Sequence, residues 1–209
     1  MFIIDFDDTL FDTRPKFIEA RFAAVATLGV TREQYDIARN GLNKNGNYTT
    51  RRHAYEIAKF DFDEEKVCLA LDSVLDSEKL RSFLFADASY FLESLKKLEQ
   101  PLVLLSLGDE EFQACKVQGA GIEKYFDRIF YVNDTKKHVV RELLRAISDA
   151  KVWFVNDRVE QTKELAEMFP RLVPVLKQSA RDSEEDYKLS GIPYFKTLTE
   201  IYDYIKAQS

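Results

Sequence analysis

Four short apolar runs in this chain each end in side chains capable of chemistry. Phe2–Phe6 (FIIDF) holds Asp5 and runs into Asp7, Asp8 and Thr9. Leu102–Leu105 (LVLL) is followed by Ser106, Leu107 and Gly108. Ile129–Val132 (IFYV) leads to Asp134, Thr135, Lys136 and Lys137, and Val152–Val155 (VWFV) leads to Asn156 and Asp157. Runs of this kind read as buried parallel strands, and open parallel sheets bind ligands at the C-terminal ends of their strands. A core alone has no reason to gather acids, a hydroxyl and lysines at one edge.

The residue types suggest phosphoryl transfer. Asp5 and Asp7 are two apart, so extended backbone aims both at one side. Carboxylates from two strand ends suit a hard divalent cation, and Mg²⁺ keeping several waters fits so sparse a set. One carboxylate can attack phosphorus while the other protonates the leaving oxygen. A lysine offsets the growing charge, and a hydroxyl with nearby backbone N–H groups holds phosphoryl oxygens.

The elements that must position these groups alternate. Helical spacing over Tyr90–Leu98, Glu110–Gly119, Lys137–Ile147, Arg158–Met168 and Leu198–Lys206 separates the runs already named and a further strand at Leu172–Leu176. That alternation predicts an α/β fold, a Rossmann-like parallel sheet with helices on both faces. Between Pro15 and about Leu84 only helical patterns and turn signals occur, among them Gly29 and the NKNGN run from 43 to 47. The expected organisation is a core of residues 1–14 and 85–209 with an all-helical insertion, 15–84, after strand 1. Lys177–Gly191 is polar and reads as a mobile connection, its acids from Asp182 to Asp186 solvated.

IIDFDDTL resembles the first motif of the haloacid dehalogenase superfamily, an apolar strand followed by Asp-x-Asp-x-Thr. Ser106 after LVLL is similar to the second motif, Lys136 or Lys137 at a helix start to the third, and Asp157 after VWFV to the fourth. The stretch from Leu84 to Val132 also resembles phosphoglycolate-phosphatase-type members, whose small helical cap the insertion is similar to. The resemblance implies that Asp5 is the nucleophile and Asp7 the general acid/base. Mg²⁺ would be held by Asp5, the backbone carbonyl of Asp7, and Asp157. Ser106, with Leu107 and Gly108 beside it, would bind the transferring group. The lysine at the active site would be Lys136 or Lys137; we favour Lys136 as catalytic, with Lys137 as a substrate contact. True dehalogenases lack an acid at the position of Asp7, which favours phosphate chemistry. The fourth motif departs from the pattern: Asn156 replaces a Gly, and Gln161 or Thr162 stands where a second Asp is usual. Glu160 is the nearest alternative acid. Fewer acids imply weaker Mg²⁺ binding.

The expected function is a Mg²⁺-dependent phosphatase acting on a small phosphorylated metabolite. A phosphomutase of the same fold, or a non-catalytic binding descendant, are the alternatives. In the insertion, Lys44, Tyr48, Arg51, Arg52 and His53 cluster near the Gly/Asn-rich turn, and Arg51 is the candidate for an anionic substrate group. His53 reads as a surface or interface histidine, Cys68 and Cys115 as buried thiols, and Trp153 as core.

Composition sets the outer limits. The 209 residues are 45% hydrophobic and 32% charged, enough apolar content for a real core. Thirty basic against 36 acidic residues give a net charge of −6, a poor match for nucleic acid or an anionic membrane. Two cysteines cannot build a disulfide framework. With no apolar run long enough to span a bilayer and no basic leader, the expectation is a cytoplasmic protein of unassigned oligomeric state.

Overall fold

The computed structural model describes residues 1–44, 48–147 and 151–208, without the side chains of residues 43 and 44. Residues 45–47 of the NKNGN turn and the side chains of 43 and 44 therefore lie outside the described residues.

Six parallel strands form the sheet: β1 (Phe2–Ile4), β2 (Leu102–Leu107), β3 (Arg128–Val132), β4 (Val152–Asn156), β5 (Leu172–Lys177) and β6 (Tyr194–Phe195). Their order is β3-β2-β1-β4-β5-β6. Strand order reverses between β1 and β4, so the edge beyond these two strands is where such a sheet opens a crevice.

Alternation along the strands builds two cores. Phe2, Ile4, Leu102, Leu104, Trp153 and Val155 face one side. There they meet Phe91, Leu92 and Leu95 of α6 (Ala88–Lys96) and Ile201 and Ile205 of α11 (Leu198–Gln208). Ile3, Val103, Leu105 and Phe154 face the other, against Val139, Val140, Leu143 and Leu144 of α8 (Lys137–Arg145) and Leu165 of α9 (Val159–Met168). Strands buried on both faces must be continuously apolar, which is why they stand out in the sequence.

Between β1 and α6 the chain is helical. A π-helical turn (Thr13–Phe17) leads into α1 (Ile18–Ala26), α2 (Arg32–Lys44), α3 (Thr50–Ala58), α4 (Glu64–Asp72) and α5 (Ser77–Ser82). Val25, Tyr35, Ala54, Ile57, Val67 and Leu71 close a core of their own. Phe17, Val74, Leu80 and Phe83 instead join the sheet-side core. Leu80 is where a Cβ on Gly119 of α7 (Glu110–Gly119) would collide, at 2.3 Å from Leu80 Cδ1.

Several expectations need correction. The first strand stops at Ile4, and Asp5 follows it. The span 177–191 is not one connection throughout: Lys177 ends β5, and Glu184–Ser190 forms α10, with 178–183 irregular between them. Ser183 and Asp186 cap α10 reciprocally, and Tyr187 is fully buried. Two of the acids are thus capping groups, Asp186 for α10 and Asp182, which accepts from Val159 N at 3.0 Å and holds the start of α9; Glu184 and Glu185 are solvated as expected. Cys115 is exposed and Cys68 only partly buried, and His53 is buried rather than on the surface. Trp153 is core as expected, 5% exposed. Among the described residues no helix is long and apolar enough to cross a membrane.

Candidate active site

The ends of β1, β2 and β4 and the start of α8 converge on one cavity of about 170 Å³. Asp5, Asp7, Leu107, Gly108, Lys136 and Asp157 are on its wall, and α1, α2 and α7 contribute the facing side.

Asp5 hangs from the first residue after β1, its own N–H bonded to Val155 O of β4 at 2.9 Å. Its carboxylate is buried. Lys136 Nζ donates to Oδ1 at 2.5 Å and Thr9 Oγ1 to Oδ2 at 3.2 Å. Lys136 is itself 2% exposed and also reaches Asn156 Oδ1 at 3.3 Å. Asn156 is held by its amide, which donates to Gln161 Oε1 and Thr162 Oγ1. Asn156, with Gln161 and Thr162 behind it, therefore buttresses the lysine where this chain departs from the family's fourth motif. Lys137 points elsewhere, pairing with Glu164 on the surface, so the structure separates the two lysines that spacing left open.

Asp7 is tied more tightly than sequence suggested. Lys116 Nζ and Thr13 Oγ1 each donate to Oδ1 at 2.5 Å, and Gln113 Nε2 donates to Oδ2 at 2.6 Å. Burial pushes the Asp7 carboxyl up, but the Lys116 charge and these hydrogen bonds outweigh it and hold the group below its ordinary range. Lys116 is buried among Phe6, Phe11, Phe17 and Phe112, 5.1 to 5.4 Å from their ring centroids.

The turn after β1 explains Asp8. Its φ is +59°, a left-handed conformation that Asp tolerates better than most residues. The buried carboxylate accepts from Arg14 N at 2.9 Å and lies 3.3 Å from Arg14 Nε and 3.8 Å from Arg181 Nη2.

Ser106 is fully buried, its Oγ accepting from Gln113 Nε2 at 3.0 Å; Leu107 and Gly108, next to it, reach the cavity. Gly108 has φ +150°, and a Cβ there would lie 2.9 Å from Gln113 Nε2. The backbone needs glycine at this point to let Gln113 bridge β2 and Asp7.

Asp157 is 1% exposed. Its Oδ2 accepts from Ser179 Oγ at 3.0 Å and Arg181 Nε at 3.2 Å, while Oδ1 is buried with no hydrogen-bond partner among the described residues. Burial first, then the charge of Asp5, push this carboxyl up to about 7, with Arg181 opposing. Two acids facing each other, one with an orphaned oxygen, are the surroundings a divalent cation would relieve. Among the described residues no three His, Cys, Asp or Glu side chains cluster as a self-sufficient metal cage. Asp5 and Asp157, with a backbone oxygen and waters, fit the few-carboxylate mode of Mg²⁺. Glu160 is exposed and off the cavity wall, so it does not replace the usual second acid.

Arg51 is corrected. It is exposed and borders a separate groove with Arg52, Tyr55 and Glu64. Tyr48 does line the cavity, its hydroxyl 2.8 Å from His53 Nδ1. Burial, and then the charge of Arg21, lower His53 to about 3, so the ring is neutral. Lys116, Gln113, Arg181 and Arg21 were missed by sequence reasoning.

This geometry belongs to a known class of enzyme fold. The family model for haloacid dehalogenase-like hydrolases matches residues 1–168, and the chain belongs to that family. A search of the curated proteins returned no match. Among solved structures, a Burkholderia xenovorans protein provisionally assigned as a haloacid dehalogenase-like hydrolase is 17% identical, with TM-score 0.75 over 97% of this chain and 94% of that one. A Thermotoga maritima protein provisionally assigned as a β-phosphoglucomutase is 19% identical, with TM-score 0.68 over 99% and 98%. The L-2-haloacid dehalogenase of Xanthobacter autotrophicus is 16% identical, with TM-score 0.64 over 100% and 98%. At these identities the likeness establishes the fold.

Proposed function

We propose that the protein is a Mg²⁺-dependent phosphatase that hydrolyses a small phosphomonoester through an aspartyl-phosphate on Asp5. The observation carrying this reading is the buried Asp5–Lys136 pair with a second carboxylate, Asp7, on the same cavity wall.

Asp5 attacks phosphorus in line, a P–O bond to Asp5 forms, and the P–O bond to the alcohol breaks. Lys136 orients the Asp5 carboxylate through its hydrogen bond and offsets charge on the phosphoryl oxygens. Asp7 gives the departing oxygen its proton, then takes one from the water that attacks the acyl phosphate, releasing inorganic phosphate and free Asp5. Since Lys116 favours ionised Asp7, the second step is better served than the first. Aryl phosphates, which leave without much protonation, are expected to turn over faster than alkyl phosphates. Asp5, the Asp7 carbonyl and Asp157 would hold Mg²⁺, which when bound neutralises phosphate charge. The helical insertion serves as the cap, excluding bulk water over the cavity.

Acid quenching during turnover, followed by peptide mass spectrometry, tests the covalent step. A phosphoryl adduct on the peptide carrying Asp5 is expected; its absence while product accumulates contradicts the mechanism.

A further inference from the structure

Arg21 is a further cation on the cavity wall, and its interpretation rests on the phosphatase reading. The residue comes from α1, in the helical insertion, and is 1% exposed. Nη2 donates to Thr50 Oγ1 at 3.1 Å, whereas Nε and Nη1 are buried without hydrogen-bond partners among the described residues. A buried guanidinium lacking a counter-charge is costly to the fold, and such groups persist where something else pairs with them.

The acids on the same cavity wall are already engaged. Lys136 holds Asp5, Lys116 holds Asp7, Arg181 holds Asp157, and Asp109 caps α7 by accepting from Phe112 N. None is left for Arg21. The partly exposed Arg39 lines the cavity as well, so among the described residues the insertion adds cation and no acid to it. Phe17, Tyr48 and Phe112 stand 5.4 to 5.5 Å from the guanidinium carbon and fix its position. Tyr48 donates its proton to Nδ1 of the neutral His53, whose other ring nitrogen lies 3.4 Å from Tyr35 O. These rings exclude water, where a charge-assisted hydrogen bond is strongest.

We infer that Arg21 binds a second anionic group of the substrate, so that the substrate is a compact phosphomonoester bearing a carboxylate or a further phosphate at the end away from Asp5. An alcohol phosphate with a neutral tail would leave the guanidinium unpaired and be disfavoured.

The test compares kcat/KM for phospholactate, ethylene glycol bisphosphate and ethyl phosphate in the full chain, with Arg21→Met and Arg21→Lys. The wild type should favour one anionic-tailed compound over ethyl phosphate by about 100-fold, and which one identifies carboxylate or phosphate. Arg21→Met should collapse that preference below about tenfold, and Arg21→Lys should restore part of it. Equal use of all three by the wild type, or a preference that survives Arg21→Met, overturns the inference. A second readout needs no turnover. Phospholactate or the bisphosphate should raise the melting temperature of Asp5→Asn, and the rise should vanish in Asp5→Asn with Arg21→Met. An Arg21-dependent rise in a protein that hydrolyses nothing would refute the phosphatase while leaving the anion site standing. Without ligand, Arg21→Met should melt no lower than the wild type. A fall of more than about 5 °C would mark Arg21 as a structural strut and overturn the inference.

Discussion

Lys136 Nζ donates to Asp5 Oδ1 at 2.5 Å, and the two side chains are buried together although 131 residues separate them in the chain. The pair joins the end of β1 to the start of α8, and its surroundings fix its role. Asn156 holds the ammonium from a third element, so the pair is fixed in place with Asp5 on the cavity wall.

Removing one partner of a buried pair leaves an uncompensated charge. Lys136→Met should therefore cost about 3–5 kcal/mol of stability in urea unfolding and lower kcat at least about 100-fold. Lys137→Ala, which breaks only the exposed pair with Glu164, should cost about 0–1 kcal/mol and keep kcat within about twofold. The reverse ranking would assign the active-site role to Lys137.

Lys116 controls the protonation of Asp7. Its charge and hydrogen bond favour the carboxylate, so Lys116→Met should raise the Asp7 pKa. Activity that needs ionised Asp7 as base rises with pH through that pKa. The acid limb of the kcat–pH profile should accordingly move to higher pH in the variant. A limb that stays in place, with kcat merely reduced, would show that Asp7 is not the titrating base.

How much of this was legible follows from where each residue sits. Asp5, Asp7, Ser106 and Asp157 stood out because buried strands are apolar on both faces and the switch to polar residues at their ends is abrupt. The choice of Lys136 over Lys137 turns on the first turn of α8, where periodicity alone does not select one. Lys116 gave no signal: it lies mid-helix, and what buries its charge are aromatic rings from the β1 loop, the π-helical turn and α7. Arg181 was hidden for the opposite reason. Its polar neighbours looked solvated, yet Tyr187 bonds to Asp157 O at 2.9 Å and anchors the segment on which Arg181 reaches Asp157. Arg51 misled because a basic helix start near a glycine-rich turn looks the same whichever way it faces.

The metal prediction follows from Asp157. Burial and Asp5 push it up to about 7, and a bound cation requires the carboxylate. Below that pKa protons compete with Mg²⁺; above it they do not. The Mg²⁺ concentration for half-maximal activity should fall as pH rises from 6 to 8. With Glu160 exposed and no second acid in the fourth motif, it should also exceed the low micromolar range. Saturation at low micromolar Mg²⁺, or a half-point independent of pH, would contradict this.

The most direct test is hydrolysis of p-nitrophenyl phosphate across a Mg²⁺ series, with Asp5→Asn as the paired control. The account predicts turnover that rises with Mg²⁺ and is lost, by at least about 1,000-fold, in Asp5→Asn. Turnover that persists in Asp5→Asn, or none at any Mg²⁺ concentration in the wild type, would contradict the assignment of Asp5 as the nucleophile of a phosphatase.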